Sequence, residues 1–326
     1  MRGLRLAFFG TPGFAAPTLA RLLGGAHPVV AVVTQPERPR GRGRQRAPLP
    51  VAALAATAGV PLLQPERAGS AENLEALAAL EPELGVVVAF GQFLPKRLRE
   101  LPACGYCINA HASLLPRQRG AAPIPHAILA GDAETGVSIM RIAREMDAGP
   151  LMFVERGGRS RFRTPIAEAD DAGSLGARLA ALAAEATACA VDAIAAGNAA
   201  WTGQHHAAAT LAPKIGPAEA RLDFRASAES LARRVRALSP RPGAQAMLGN
   251  LRLRILAARA EPAPRAGQSA TPGALHCSEG ALRAATGDGW LRLLRLQRAG
   301  GRVLAAEDFL RGQRIPDGAR FAAPTP

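Results

Sequence analysis

The sequence predicts an α/β domain, with a mostly parallel sheet covered by helices, followed by a smaller all-β domain. Three observations carry that prediction. In the first half, short apolar runs that end near glycine alternate with stretches of helical character, which is how a parallel sheet buried on both faces reads. In the last third the pattern changes to short runs punctuated by Gly and Pro, one of them strictly alternating between leucine and arginine. The 326 residues, 48% of them hydrophobic, favour two cores over one.

Each element follows from its local pattern. "LRLAFFG" (4–10) is a first buried strand, with a helix expected from about Phe14 to Leu23 and a second strand over 29–34. Helices are expected over 49–59 and 73–80, and buried strands over 84–90 and 105–109. Two further strands are expected over 134–142 and 149–155, then a long helix over 175–195. "GNAAWTGQHHAAAT" (197–210) has no period and reads as a linker, with His205 and His206 on its surface. Beyond it, 227–238 reads as a helix and "LRLRIL" (251–256) as a half-buried strand with Arg252 and Arg254 outward. Short strands at 273–277, 280–286 and 289–297 suggest a small β-barrel. The expected division is 1–188, a linker over 189–208, and a second domain over 209–326.

Charge narrows the partners. The formal net charge is +14, and only Lys96 and Lys214 among the 40 basic residues are lysines. Residues 1–188 carry 21 basic and 16 acidic residues, whereas the shorter remainder carries 19 and 10. The second domain is thus the more basic, which suits a polyanion such as nucleic acid; a solvated basic surface is the alternative. Four cysteines are too few for a disulfide framework in a chain of this length. Cys104 and Cys107 form a lone C-x-x-C without a second pair, read as two thiols near a strand and not as a zinc or redox motif. No signal peptide is read at the N-terminus, and no run of about 18 apolar residues suggests a membrane span. A cytoplasmic, monomeric protein without a metal is expected.

"GTPGFAA" (10–16) sits where a dinucleotide fingerprint would, after a strand and before a helix. Its spacing is G-x-x-G, and Pro12 lacks a backbone donor, so a dehydrogenase finds no support. "ERPRGRGRQR" (37–46) places arginine at every second position from Arg38 through Arg40, Arg42 and Arg44 to Arg46, in a loop that Gly and Pro keep from becoming a helix. Guanidinium groups so spaced follow a phosphate backbone, and four or five such contacts give a log–log salt slope of about −3 to −4.

The chemistry gathers at "INAHASLLPRQRGAAPI" (108–124) and "REMDAGPL" (144–151). Asn109 supplies an uncharged NH₂ donor suited to an oxyanion. His111 supplies an acid/base near neutral pH, and Asp147 a carboxylate to orient it. Ser113 lacks a nucleophile elbow and Cys107 lies within the apolar run, so the attacking group has to come from a substrate. The reaction class is direct transfer of an acyl or one-carbon group.

Taken in order, "FFGTPGFAAPTL", "VVTQPERPRGRGR", "VVVAFGQFLP", "INAHASLLPRQRGAAPIPHAI", "GDAETGVSIMRI", "MDAGPL", "PKIGPAEARLDF" and "RALSPRPGA" resemble the methionyl-tRNA formyltransferase family over essentially the whole chain. The H-x-SLLP block alone marks only the wider group of enzymes that use 10-formyltetrahydrofolate. The resemblance implies a Rossmann-like, mostly parallel N-terminal domain with a small C-terminal OB-like β-barrel. It implies transfer of a formyl group from 10-formyltetrahydrofolate to the α-amino group of methionine on initiator tRNA, and that amine is the missing nucleophile. Asn109 and His111 would stabilise the oxyanion, His111 would help to protonate the departing folate nitrogen, and Asp147 would tune His111.

By the same resemblance, Val87, Val88, Ala89, Phe90, Gly91, Gln92 and Leu94, with Ser113, Leu114, Leu115 and Pro116, would line the folate pocket. Phe14, Arg38, Arg40, Arg42, Arg44 and Lys214 would meet the aminoacyl-tRNA. The chain departs from the family at Gln118, Arg241 and Gln245, where aromatics are usual, and at Ser239, where asparagine is. Two rivals share parts of this pattern. A formyltransferase acting on a nucleotide-linked amino sugar would share the site but has little use for the arginine ladder. A non-catalytic RNA-binding protein has no use for an intact catalytic set.

Overall fold

The computed structural model describes residues 3–37, 49–153, 160–262, 271–278, 280–316 and 318–323. The chain divides into two units, Met1–Pro123 with Glu134–Pro165 and Gly176–Ala212, and Ile124–Ala133 with Ile166–Leu175 and Pro213–Pro326. Along the chain, the strands up to residue 165 are β1 (Leu6–Gly10), β2 (Val29–Val33), β3 (Leu62–Leu63), β4 (Leu84–Val88), β5 (Cys107–His111), β6 (Glu134–Gly136), β7 (Ser138–Arg141), β8 (Leu151–Met152) and β9 (Arg163–Pro165). The helices are α1 (Ala16–Leu23), α2 (Pro50–Thr57), α3 (Ala71–Ala79), α4 (Lys96–Arg99), α5 (Pro123–Ala130) and α6 (Ala172–Ala195).

Seven strands form one sheet in the order β3-β2-β1-β4-β5-β7-β8. β1 to β5 run parallel, and β7 and β8 complete the sheet antiparallel. This is the Rossmann-like, mostly parallel sheet expected. Every residue of β1 and β4 is buried, which is why both read as unbroken apolar runs. From β1 the chain builds outward through β2 and β3, then returns to β4 and builds the other way. That reversal opens a crevice beyond the carboxyl ends of β1 and β4, and it places the site.

Local signals explain most boundaries. Pro17 opens α1, where its missing N–H costs nothing. The Ser70 side chain caps α3 by accepting from the Asn73 N–H. The strand expected over 105–109 begins later and ends later, at His111. Cys107 sits inside the sheet, where its sulfur fills the space that a side chain on Gly85 would need. Burial pushes its thiol up to about 12 and the Sγ donates to the Arg99 carbonyl (3.5 Å). Burial, then the Glu83 carboxylate, raises Cys104 as well. Neither thiol is primed as a nucleophile.

Two expectations need correction. Residues 134–142 are not one strand: Val137 separates β6, which pairs with β9, from β7 in the main sheet. The linker expected from 189 begins later, because α6 continues through Ala195 on buried Ala186, Ala190 and Val191. Past α6, Thr202 exchanges both backbone hydrogen bonds with Leu151 of β8 (2.7 and 2.8 Å). The segment read as a plain linker is fastened to the sheet edge there by a single isolated bridge.

The second unit carries α7 (Ala228–Leu238), β10 (Ala244–Leu248), β11 (Leu251–Pro262), β12 (Leu275–Ser278), β13 (Ala281–Ala285), β14 (Gly289–Arg298), β15 (Val303–Ala305) and α8 (Ala306–Gly312). Its antiparallel sheet runs β10-β11-β14-β13-β12, with β15 beside β14. Phe321 bridges to Leu248 and Arg320 to Ala274, so one short segment ties β10 to the β12 edge and closes the sheet as a barrel. Leu253, Ile255, Leu282, Leu291, Leu293 and Leu296 fill it, with Val235 of α7 and Phe309 of α8. The alternation at 251–256 ends at Leu256, buried next to Ile255, where the β11–β14 register slips.

Arg259, Arg292 and Arg283 stand opposite one another on three neighbouring strands. Like charges so placed repel, and Glu261 lies 3.0, 3.5 and 2.7 Å from them. Burial pushes the Glu261 carboxyl up, but hydrogen bonds from Arg283 and Arg259 outweigh it and hold it below the usual range. Its folded value is depressed, so the stabilisation is present at neutral pH and lost as pH falls through that value. Glu261→Gln should cost about 1 kcal/mol at pH 7 and less near pH 3, read by urea unfolding of the full chain.

Candidate active site

The site is built at the carboxyl end of β5, beside β4. In register, Asn109 lies between Val87 and Met140, and His111 ends the strand opposite Ser138. The Asn109 side chain is half-buried and finds no hydrogen-bond partner among the described residues. His111 is buried, and its Nε2 lies 2.9 Å from the Gln118 carbonyl oxygen. A carbonyl only accepts, so Nε2 carries a proton. Nδ1 then faces Asp147 Oδ2 at 3.6 Å, and a second proton on the ring would point at that carboxylate.

Asp147 reaches this position through a left-handed backbone, φ +52°, and the Gly120 N–H donates to its Oδ2 (2.8 Å). Gln118 (φ +59°) and Ala89 (φ +46°) are left-handed too. Each costs about 1 kcal/mol or more for a residue with a side chain, and such strain persists where the surrounding structure holds it. Three strained residues gather on the loops that leave β4, β5 and β7.

The loops are held from the segment after α6. Gln204 Nε2 donates to the carbonyls of Asp147 (2.8 Å) and Gly149 (2.7 Å). Gln204 Oε1 accepts from Arg119 Nε (3.1 Å) and Nη2 (2.6 Å). Arg119 Nη2 also donates to His206 Nδ1 (3.2 Å). Thr210 accepts from the backbone N–H of Gln118 and of Arg119, at 2.8 Å each. Residues 197–210 are irregular and His205 and His206 are exposed, as read from the sequence, but buried Gln204 and half-buried Thr210 tie this stretch to the loops of the site. Lack of periodicity marks an irregular segment but cannot show that its side chains turn inward.

The other expected residues divide. Val87 and Val88 are buried in β4. The Phe90 carbonyl accepts from Thr11 Oγ1 and Gln35 Nε2, both at 3.0 Å. Gln92 spans to the Ala68 N–H and the Pro65 carbonyl, while Leu94 packs in the core. Gly91 and Gln92 line an open cleft of about 460 Å³ with Gln35, Arg67 and Phe93. Ser113 Oγ donates to the Arg117 carbonyl, and Leu115 packs on Met140 and Leu151 between half-buried Leu114 and Pro116. Phe14 is half-buried in the turn before α1, and Lys214 is exposed in the second unit. Arg38, Arg40, Arg42 and Arg44 lie outside the described residues. No group of three or more His, Cys, Asp or Glu is placed to hold a metal ion among the described residues.

The family described as "Formyl transferase" matches residues 4–191, and "Formyl transferase, C-terminal domain" matches 214–314. The methionyl-tRNA formyltransferase of Methylococcus capsulatus is 47% identical over 308 residues, 94% of this chain and 96% of its own. This chain belongs to the methionyl-tRNA formyltransferase family. The Halorhodospira halophila member of that family is 45% identical over 96% of this chain and 98% of its own. Among solved structures, the N-formyltransferase of Helicobacter canadensis, in complex with folinic acid and dTDP-3-aminofucose, superposes with a TM-score of 0.65 at 15% identity, over 90% of this chain and 99% of that one. HypX from Aquifex aeolicus, in complex with tetrahydrofolic acid, gives 0.62 at 18%, over 94% of this chain and 47% of that one. At these identities the two structures speak for the fold alone.

Of the four positions read from the sequence as departures from the family pattern, Gln118 and Ser239 have local explanations, and nothing in the structure explains Arg241 or Gln245. At position 118 it is the backbone carbonyl that receives His111, so glutamine in place of an aromatic leaves that bond intact. In the "SPRPG" turn, Ser239 Oγ donates to Asp171 Oδ2 (3.0 Å). Arg254 holds the same turn by donating to the Pro240 and Pro242 carbonyls (2.8 and 2.9 Å).

Proposed function

We propose that this chain transfers the formyl group of 10-formyltetrahydrofolate to the α-amino group of methionine on initiator tRNA. The observation that carries the reading is His111, held between the Gln118 carbonyl and the Asp147 carboxylate, with the unpartnered Asn109 carboxamide on the same strand. The site offers no primed nucleophile of its own, as direct transfer to an external amine requires.

The residues fit that chemistry atom by atom. The amine nitrogen bonds to the formyl carbon, and the carbon–nitrogen bond to the folate breaks. Asn109 donates to the formyl oxygen as negative charge builds there. The ammonium sheds one proton to water to become the free amine, and as the amide forms its nitrogen gives up a second, which has to reach the departing folate nitrogen. His111 and Asp147, 3.6 Å apart, take and return that proton. The exit of β4 from Val87 to Leu94, with Ser113–Pro116, receives the folate. Arg38, Arg40, Arg42 and Arg44, with Phe14, receive the aminoacyl end of the tRNA, and the basic barrel domain, with Lys214, binds the RNA further along. The division into a catalytic domain and an RNA-binding domain, a monomeric state and a cytoplasmic location belong to the same proposal; no helix of the described residues is long and apolar enough to cross a membrane.

The test is single-turnover formylation of methionyl-initiator tRNA, run beside a nucleotide-linked amino sugar. Formyl-methionyl-tRNA is expected, and it should vanish with His111→Ala. Formylation of the sugar alone would overturn the substrate assignment and leave the site standing.

A further inference from the structure

We propose that Gln204 is a positioning residue for the transfer reaction, its carboxamide holding the Asp147 loop in the geometry that His111 requires. The proposal rests on the reading of Asn109, His111 and Asp147 as the catalytic set. Chemistry assigns the orientation of the amide. The Asp147 and Gly149 carbonyls only accept and the Arg119 guanidinium only donates, so the NH₂ faces the carbonyls and Oε1 faces the arginine. Gln204 is 8% exposed and Arg119 9%, so losing a partner here leaves polar groups unpaired and out of water.

The position of the carboxamide in the loop network is what matters. His111 is held on one side by the Gln118 carbonyl and faces Asp147 on the other. Gln204 joins those two sides, through Arg119 to the 118–120 loop and directly to the 147–149 loop. Asp147 carries a left-handed backbone that tends to relax, and two hydrogen bonds from one amide group hold the carbonyls of Asp147 and Gly149. Relaxation would carry the carboxylate away from Nδ1 without touching any substrate contact.

Gln204→Glu isolates this effect. It keeps the shape and the acceptor for Arg119, and replaces the NH₂ by an oxygen that two carbonyls repel. In the full-length protein, kcat should fall about 10- to 100-fold, with KM for tRNA and for folate each within about threefold. Gln204→Met, of similar volume, is the second variant, and thermal unfolding of both establishes that the fold is kept. In an Asp147→Asn background either substitution should cost less than about threefold more, because the group it positions is already lost. Unchanged kcat, a loss carried by KM, or the full loss repeated in the Asp147→Asn background would overturn the proposal. If Asp147→Asn alone left kcat unchanged, the reading of the site would fall instead.

Discussion

Asp147→Asn is expected to lower kcat about a thousandfold with little change in either KM. The substitution preserves shape, and the asparagine oxygen can keep the Gly120 N–H that Oδ2 now accepts at 2.8 Å. What disappears is the negative charge facing His111 Nδ1. Because Nε2 is committed to the Gln118 carbonyl, the ring can take its second proton only at Nδ1, the atom that faces the carboxylate. Single-turnover rates at saturating folate and tRNA check this, and His111→Ala should fall to a similar level. Combining the two should cost little more than either alone, since they act as one unit. A loss seen only in KM would move Asp147 from the chemistry to substrate binding.

Asn109→Ala is the second large effect, on the order of 10²- to 10³-fold in kcat, the usual cost of removing one oxyanion donor. Its stability cost should be small, within about 1 kcal/mol. The carboxamide has no partner among the described residues to lose, and the backbone pairing with Val87 and Met140 survives. Asn109→Asp should be slower still, because a carboxylate repels the charge that the amide would stabilise. The same single-turnover assay, paired with thermal unfolding, separates the two effects. A variant that unfolded several degrees lower with its kcat intact would make Asn109 a structural residue.

Much of this protein was legible in one dimension. β1 and β4 could be read because strands buried on both faces have to be apolar at every position. α7 was legible from 227 to 238 because its buried Leu231, Val235 and Leu238 recur at helical spacing, behind a Ser227 cap. Less was legible where pairing decides the element. β10, "AQAML", has weak strand propensity and exists because β11 hydrogen-bonds along its length. β6 and β7 are continuous in sequence, and their separation at Val137 follows from β6 pairing with β9.

The site divides in the same way. Asn109, His111 and Asp147 could be chosen from residue type and from their places near strand ends, since few side chains do proton transfer or hold an oxyanion. Gln204, Arg119 and Thr210 could not. A glutamine in an aperiodic stretch rich in alanine carries no signal of the two carbonyls it will meet, 57 and 55 residues away along the chain. The sequence by itself determined the alternation of layers, the two kinds of domain and the chemical groups available. Only the tertiary structure decided which partners those groups face, and that the supposed linker is a brace. The physical reason is that burial and periodicity are local properties of the chain, whereas a hydrogen bond between distant loops is a property of the closed fold.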